Sequence, residues 1–242
     1  LFKVIARTHP ERLSDAVASM QTNGSFITEK SVSGKTLNPT VLYFFALIAY
    51  ACMSGAYLSI EAVRDTQANL SPLGARRSIT PYRKQFLIFI DMLVLIFIHF
   101  INVMILTFYV NYILDIDLGN NYLAILATNF MGSLIGICLG LMIGCIGKLT
   151  FSAKIGICTS TTLLTGFLSG LMFGNMKDVI EQNAPILNRI NPAAVLSDAY
   201  YCISVYNDTL RYQRCMITLL IMSVLFLGIA FLGVRRERYD SI

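Results

Sequence analysis

Tryptophan is absent from this chain and histidine nearly so, with two in 242 residues. Charge is sparse as well: 14% of the residues are charged and 55% hydrophobic, a balance too apolar for a soluble domain of this length. The formal net charge of +5 is small and dispersed, and no basic stripe interleaved with aromatics occurs, which excludes nucleic acid as a partner. It fits cationic loops beside an anionic lipid leaflet. The cysteines, Cys52, Cys138, Cys145, Cys158, Cys202 and Cys215, include no CxxC and lie mostly in or beside apolar segments. A thiol there behaves as a small hydrophobe, so neither a disulfide framework nor a metal site is expected.

Catalytic motifs are missing too. There is no HExxH. SGKT at Ser33–Thr36 ends like a phosphate-binding loop, but Glu29 stands where the loop needs a glycine. Ser169 in GFLSG is the best nucleophile candidate, with His99 on another segment. Its GxxSG spacing departs from the GxSG of intramembrane serine proteases, so no enzyme is indicated.

What the chain does contain is long apolar runs. Val41–Ile60 is twenty residues without a charge, roughly 30 Å of helix and the thickness of the hydrocarbon layer. Further spans are read at 86–114, 122–147, 155–173 and 215–234. The loop 61–85 between the first two carries Arg64, Arg76, Arg77, Arg83 and Lys84, and this excess of Lys and Arg in a short connection marks the cytoplasmic side. Residues 1–40 are then extracellular. The acidic connection from Asp115 has no Lys or Arg and belongs outside, Lys148 and Lys154 mark a second inner loop, and Arg235, Arg236 and Arg238 return the C-terminus to the cytoplasm.

Within the spans, Asp91, His99 and Asn102 are the polar exceptions. Asp91 and Asn102 are eleven residues apart and fall within about 20° of each other on a helix, with His99 some 80° away. They could share a polar stripe lining a pathway, since an ionisable group at depth faces the protein interior or a water-filled route. The plainer reading places Asp91 at the interface and gives His99 an interhelical hydrogen bond. Gly132, Gly136, Gly140 and Gly144 recur every four residues and mark a tight helix contact. Residues 175–211 mix apolar and aromatic residues with breakers at Pro185 and Pro192. Each arm is too short to span, so a re-entrant or interfacial hairpin broken near Asn191-Pro192 is expected, with the tyrosines of AAVLSDAYYCISVY as headgroup anchors.

Taken in order, RRSITPYRK at Arg76–Lys84, APILNRINPAAVLSDAYY at Ala184–Tyr201 and the terminal RRERYDSI make the chain similar, from about Asn38 to its end, to the ABC-2 type transporter permease family, the membrane subunits of ABC exporters. The resemblance implies an all-α polytopic helical bundle of six spans per subunit, five visible here and one before Leu1, with a re-entrant extracellular hairpin at 175–211 that includes Asn191, Pro192 and Asp198. It implies a coupling helix in the 61–85 loop, with Arg64, Arg76, Arg77, Thr80, Pro81, Arg83 and Lys84 facing a separate ABC ATPase subunit. That partner would hold ATP and Mg; this chain binds no cofactor of its own. It further implies a second permease subunit as homo- or heterodimer partner, contact with membrane lipid, and the plasma membrane of a bacterium. An alternative is a non-transporting scaffold, immunity or sensor subunit that binds a ligand at the hairpin.

Overall fold

The structure, a computed structural model, describes residues 39–67, 71–119, 121–146, 149–173, 176–206 and 208–237. The extracellular segment proposed for residues 1–40, apart from its last two residues, lies outside the described residues, as do SGKT, Lys148 and Arg238. Every regular element among the described residues is helical. In chain order these are α1 (Pro39–Met53), α2 (Gly55–Arg64), α3 (Pro72–Ser78), α4 (Lys84–Phe108), α5 (Tyr122–Gly144), α6 (Phe151–Leu168), α7 (Met176–Asn183), α8 (Pro185–Ile190), α9 (Pro192–Tyr201) and α10 (Thr209–Glu237). Single π-turns, Tyr109–Ile113 and Cys202–Tyr206, extend α4 and α9.

Among the described residues four helices are long and apolar enough to cross a membrane: Thr40–Arg64, which joins α1 and α2 through Ser54, Gln85–Ile113, Tyr122–Gly144 and Thr209–Gly233. The fifth expected span is α6. It forms as a helix of 18 residues but is not among the four, because Lys154 and the hydroxyl run Thr159–Thr162 dilute its apolar content. The last span starts six residues earlier than the apolar run suggests, since Asp208 Oδ1 accepts from the N–H groups of Leu210 (3.0 Å) and Arg211 (3.1 Å) and nucleates its first turn.

The centre of the bundle is α5, which touches α1, α2, α4, α6, α9 and α10. Its glycines explain how. A Cβ on Gly136 would lie 2.0 Å from the Cys52 carbonyl oxygen, one on Gly140 2.1 Å from that of Ala56, and one on Gly132 2.5 Å from Cys52 Sγ. Gly144 sits against Val63, 3.1 Å away by the same construction. All four glycines therefore meet the α1–α2 span through Cys52, Ala56, Ser59 and Val63, and backbone approaches backbone. Lipid tails are as apolar as leucine, so this close van der Waals fit, rather than removal of apolar surface from water, holds the pair together. Ser59 is buried there and donates to Ala56 O at 3.1 Å, so its hydroxyl adds no unpaired group.

Two glycines lie outside any such contact. Gly228 on α10 and Gly156 on α6 have open space where a Cβ would go. Gly136→Ala should therefore lower the stability of the detergent-solubilised protein by about 1–3 kcal/mol, whereas Gly228→Ala should stay within about 0.5 kcal/mol of the parent. Thermal unfolding of the two variants side by side checks this, and equal effects would contradict the seam.

Candidate functional site

At the Arg64 end of the bundle the chain turns through α3 before entering α4. Ser71 caps α3, its Oγ accepting from Gly74 N at 2.8 Å, with Pro72 in the first helical position. Gly74 is required for a different reason: a Cβ there would stand 2.3 Å from Gln67 O. The short helix is thus clamped on the backbone of Gln67, which also accepts from Ser71 N. Lys154 holds the other side. Only 2% exposed, it donates to Gly144 O at 2.6 Å and to Gln67 Oε1 at 3.4 Å. Its charge sits on the last carbonyls of α5, where the helix dipole favours a cation. A lysine read from the sequence as a loop marker is a buried strut between α5, α6 and the base of α3.

The basic residues of this loop divide by partner. Arg64 stacks over the Phe151 ring, 4.7 Å from its centroid. Arg77 donates from Nη1 to Asp91 Oδ2 at 2.7 Å and ties α3 to α4. Arg76, Thr80, Pro81 and Arg83 are exposed, and Thr80 folds its hydroxyl back on Arg77 O at 2.7 Å. Lys84 opens α4. Between the cations stand Leu73, Ile79, Tyr82 and Phe86, all exposed, Ile79 to 86%. The loop therefore presents mixed apolar and cationic surface on a helix whose position is fixed from beneath.

Asp91, His99 and Asn102 are not brought together. Asp91 pairs with Arg77, and His99 is buried with Nε2 3.1 Å from Cys52 O. Gly55 leaves room for that imidazole, since a Cβ there would be 2.7 Å from its Cδ2. Asn102 is exposed on α4. The buried polar centre is instead built from Thr107, Asn129 and Tyr200. Tyr200 Oη donates to Asn129 Oδ1, Asn129 Nδ2 donates to Thr107 Oγ1 at 3.1 Å, and the Tyr200 ring stacks on Phe45 with centroids 6.1 Å apart. Tyr200 points inward and not toward headgroups, because α9 is buried along most of its length against α1, α5 and α10. Asn129 is visible in the sequence only as one amide on the glycine-rich α5, and its partners come from distant segments.

At the opposite end, where α1 and α10 begin and α6 stops, the chain folds into α7, α8 and α9. The break between α8 and α9 falls at Asn191-Pro192, as the sequence suggests. Asn191 Oδ1 accepts from Ala193 N at 3.0 Å to cap α9, and Asn191 Nδ2 donates to Thr165 O at 2.9 Å on α6. One side chain thus starts α9 and pins it to the end of α6. Asp198 is ion-paired with Lys177 and, at 3.6 Å, with Arg211, so it joins α7, α9 and α10. Around it opens a cavity of about 540 Å³. Ser169, also on the cavity wall, donates to Gly166 O at 2.7 Å while His99 bonds elsewhere.

Apolar helices of spanning length wrapped round a glycine-packed centre define a multi-pass membrane protein. The family model described as ABC-2 family transporter protein matches residues 11–232, and the chain belongs to that family. It is therefore a membrane transport component of an ABC system; members of the family are membrane subunits that generally work with an ABC ATPase subunit. No curated protein and no solved structure matches the chain.

The Thr107–Asn129–Tyr200 centre makes a direct prediction. Tyr200→Phe keeps the ring stack on Phe45 but removes a donor from buried Asn129, and should cost about 1 kcal/mol. Tyr57→Phe, whose hydroxyl bonds the hydroxyls of Thr159 and Thr162 at 3.2 Å each, should cost less, because both threonines also bond carbonyls of their own helix. Unfolding midpoints of the two variants measure the difference.

Proposed function

We propose that the chain is the permease subunit of an ATP-driven exporter, forming part of the translocation pathway and coupling to its ATPase subunit through the 61–85 loop. The observation that carries this reading is α3, a helix clamped on Gln67 and braced by Lys154, with Leu73 and Arg76 exposed on it and Ile79, Tyr82 and Arg83 exposed in the turn that follows. A partner pushing on such a helix would move α2, α4 and α5 together, since Arg77 ties it to α4 and Lys154 to the end of α5. Exposed aromatic and arginine side chains around a rigid element are what protein interfaces concentrate. The loop would face the cytoplasm by its Lys/Arg excess, the hairpin α7–α9 would be re-entrant on the outer side, and the spans would number five here and six in the full subunit. ATP and Mg would be held by the partner.

Asn102 supports a second permease subunit. It is exposed in mid-helix on α4, flanked by the exposed Phe97, Ile98, Ile101 and Ile105. A carboxamide facing hydrocarbon leaves its donors and acceptor unpaired, so this face is covered by protein or lines a route in the plasma-membrane complex. Dimerisation of two permease subunits, identical or not, satisfies either condition.

Purification of the protein from its native membrane in mild detergent should bring an ABC ATPase with it. The pair Arg76→Glu and Arg83→Glu should reduce the recovered ATPase at least fivefold, while Arg189→Glu at the far end should not. Arg77→Asp should uncouple ATP turnover, and Asp91→Arg added to it should restore part of the coupling. A preparation without ATPase, and vesicles without ATP-dependent activity, would favour a scaffold or sensor subunit.

A further inference from the structure

Two thiols meet where the hairpin ends and the last span begins. Cys52, Cys138, Cys145 and Cys158 are buried among α1, α5 and α6, as small hydrophobes are. Cys202 and Cys215 differ. Cys202 opens the π-turn that extends α9, Cys215 stands in the first two turns of α10, and these two elements pack together. The Cys215 thiol hydrogen-bonds the sulfur of Cys202. Both thiols also lie within electrostatic reach of Asp198 and Arg211, the ion pair that joins α9 to α10.

The two residues are not equally accessible. Cys202 is 1% exposed, whereas Cys215 is half-buried and forms part of the cavity wall. A small reagent entering the cavity therefore meets Cys215 and not Cys202. Cys202 is the better thiolate, because the hydrogen bond from Cys215 holds its thiol below the ordinary range against the opposing effect of burial, with Arg211 adding to the bond. An accessible sulfur beside a buried thiolate is the arrangement in which one thiol exchanges with an incoming disulfide and the second resolves it.

We propose that Cys202 and Cys215 form an exchange-active dithiol pair, which a low-molecular-weight disulfide converts into a cross-link between the hairpin and α10. The Cys215 sulfur takes one half of the reagent disulfide, and the other half leaves as a thiol. The Cys202 thiolate then attacks the Cys215 sulfur, the Cys202–Cys215 bond forms, and the second half of the reagent leaves as a thiol. The reagent gains the two electrons and two protons that the pair loses, so the sequence balances with no further reactant. Sulfurs within hydrogen-bonding reach close on each other by side-chain rotation. The product encloses residues 203–214 and makes covalent a junction that Asp198 and Arg211 hold by charge. Oxidation in the cell rests on the outer placement proposed for the hairpin, where thiols meet an oxidising compartment.

The test uses the full protein in detergent, reduced, freed of reductant and treated with hydroxyethyl disulfide. Remaining thiols are alkylated in denaturant, and the peptides are read by mass spectrometry without reduction. The Cys202–Cys215 linkage should exceed any other pairing about tenfold. Cys202→Ala should instead retain half of the reagent on Cys215 as a stable mixed disulfide, since no thiol resolves it, and Cys215→Ala should leave Cys202 unmodified. No Cys202–Cys215 linkage in the parent protein, or a mixed disulfide that persists on its Cys215, would overturn the proposal without recourse to either variant. Native membranes quenched in acid and alkylated read the sidedness separately. A linkage that forms with the reagent but is absent from those membranes contradicts the outer placement of the hairpin and leaves the pair standing.

Discussion

The rest of the molecule depends on how closely the backbone of α5 lies against the α1–α2 span. Three of the four glycines on that face would place a Cβ within 2.5 Å of an atom across the seam, so no larger residue fits without moving a helix. In a membrane this contact has no hydrophobic drive behind it and rests on fit alone. Because α5 also touches α4, α6, α9 and α10, any separation at the seam would disturb all of them.

Both ends of the seam carry chemistry. At one, Gly144 closes α5 on the Lys154 ammonium, and the same lysine reaches Gln67 beneath α3. At the other, Asn129 and Tyr200 join α5 to α9, and Asn191 and Asp198 fasten α9 to α6, α7 and α10. A displacement of α3 would therefore reach the cavity through α5 and α9, by packed and hydrogen-bonded contacts rather than through a flexible loop. Such a path suits the proposed subunit, in which an ATPase at one end changes access at the other.

Much of this was legible in the sequence. Long apolar runs located the four helices of spanning length among the described residues to within six residues at either end, and the four-residue glycine period announced the tight contact, because both signals are local. The break at Asn191-Pro192 was legible for the same reason. Pairings between distant segments were not. Lys154 looks like a loop lysine until α5 ends beside it, and Tyr200 looks like a headgroup anchor until Phe45 and Asn129 surround it. Asp91, His99 and Asn102 share a helix but not an environment, because helical phase fixes direction and not what each direction faces. Arg77, Cys52 and the open α4 surface decided that.

In the proposed subunit α3 and the α7–α9 cavity lie on opposite sides of one membrane. Single cysteines at Arg76 and Arg189, in a background lacking the native thiols, test it with a membrane-impermeant maleimide on closed cells. Arg189→Cys should label in intact cells, and Arg76→Cys only after permeabilisation. Labelling of both positions from the same side would contradict the topology and with it the link between the two ends.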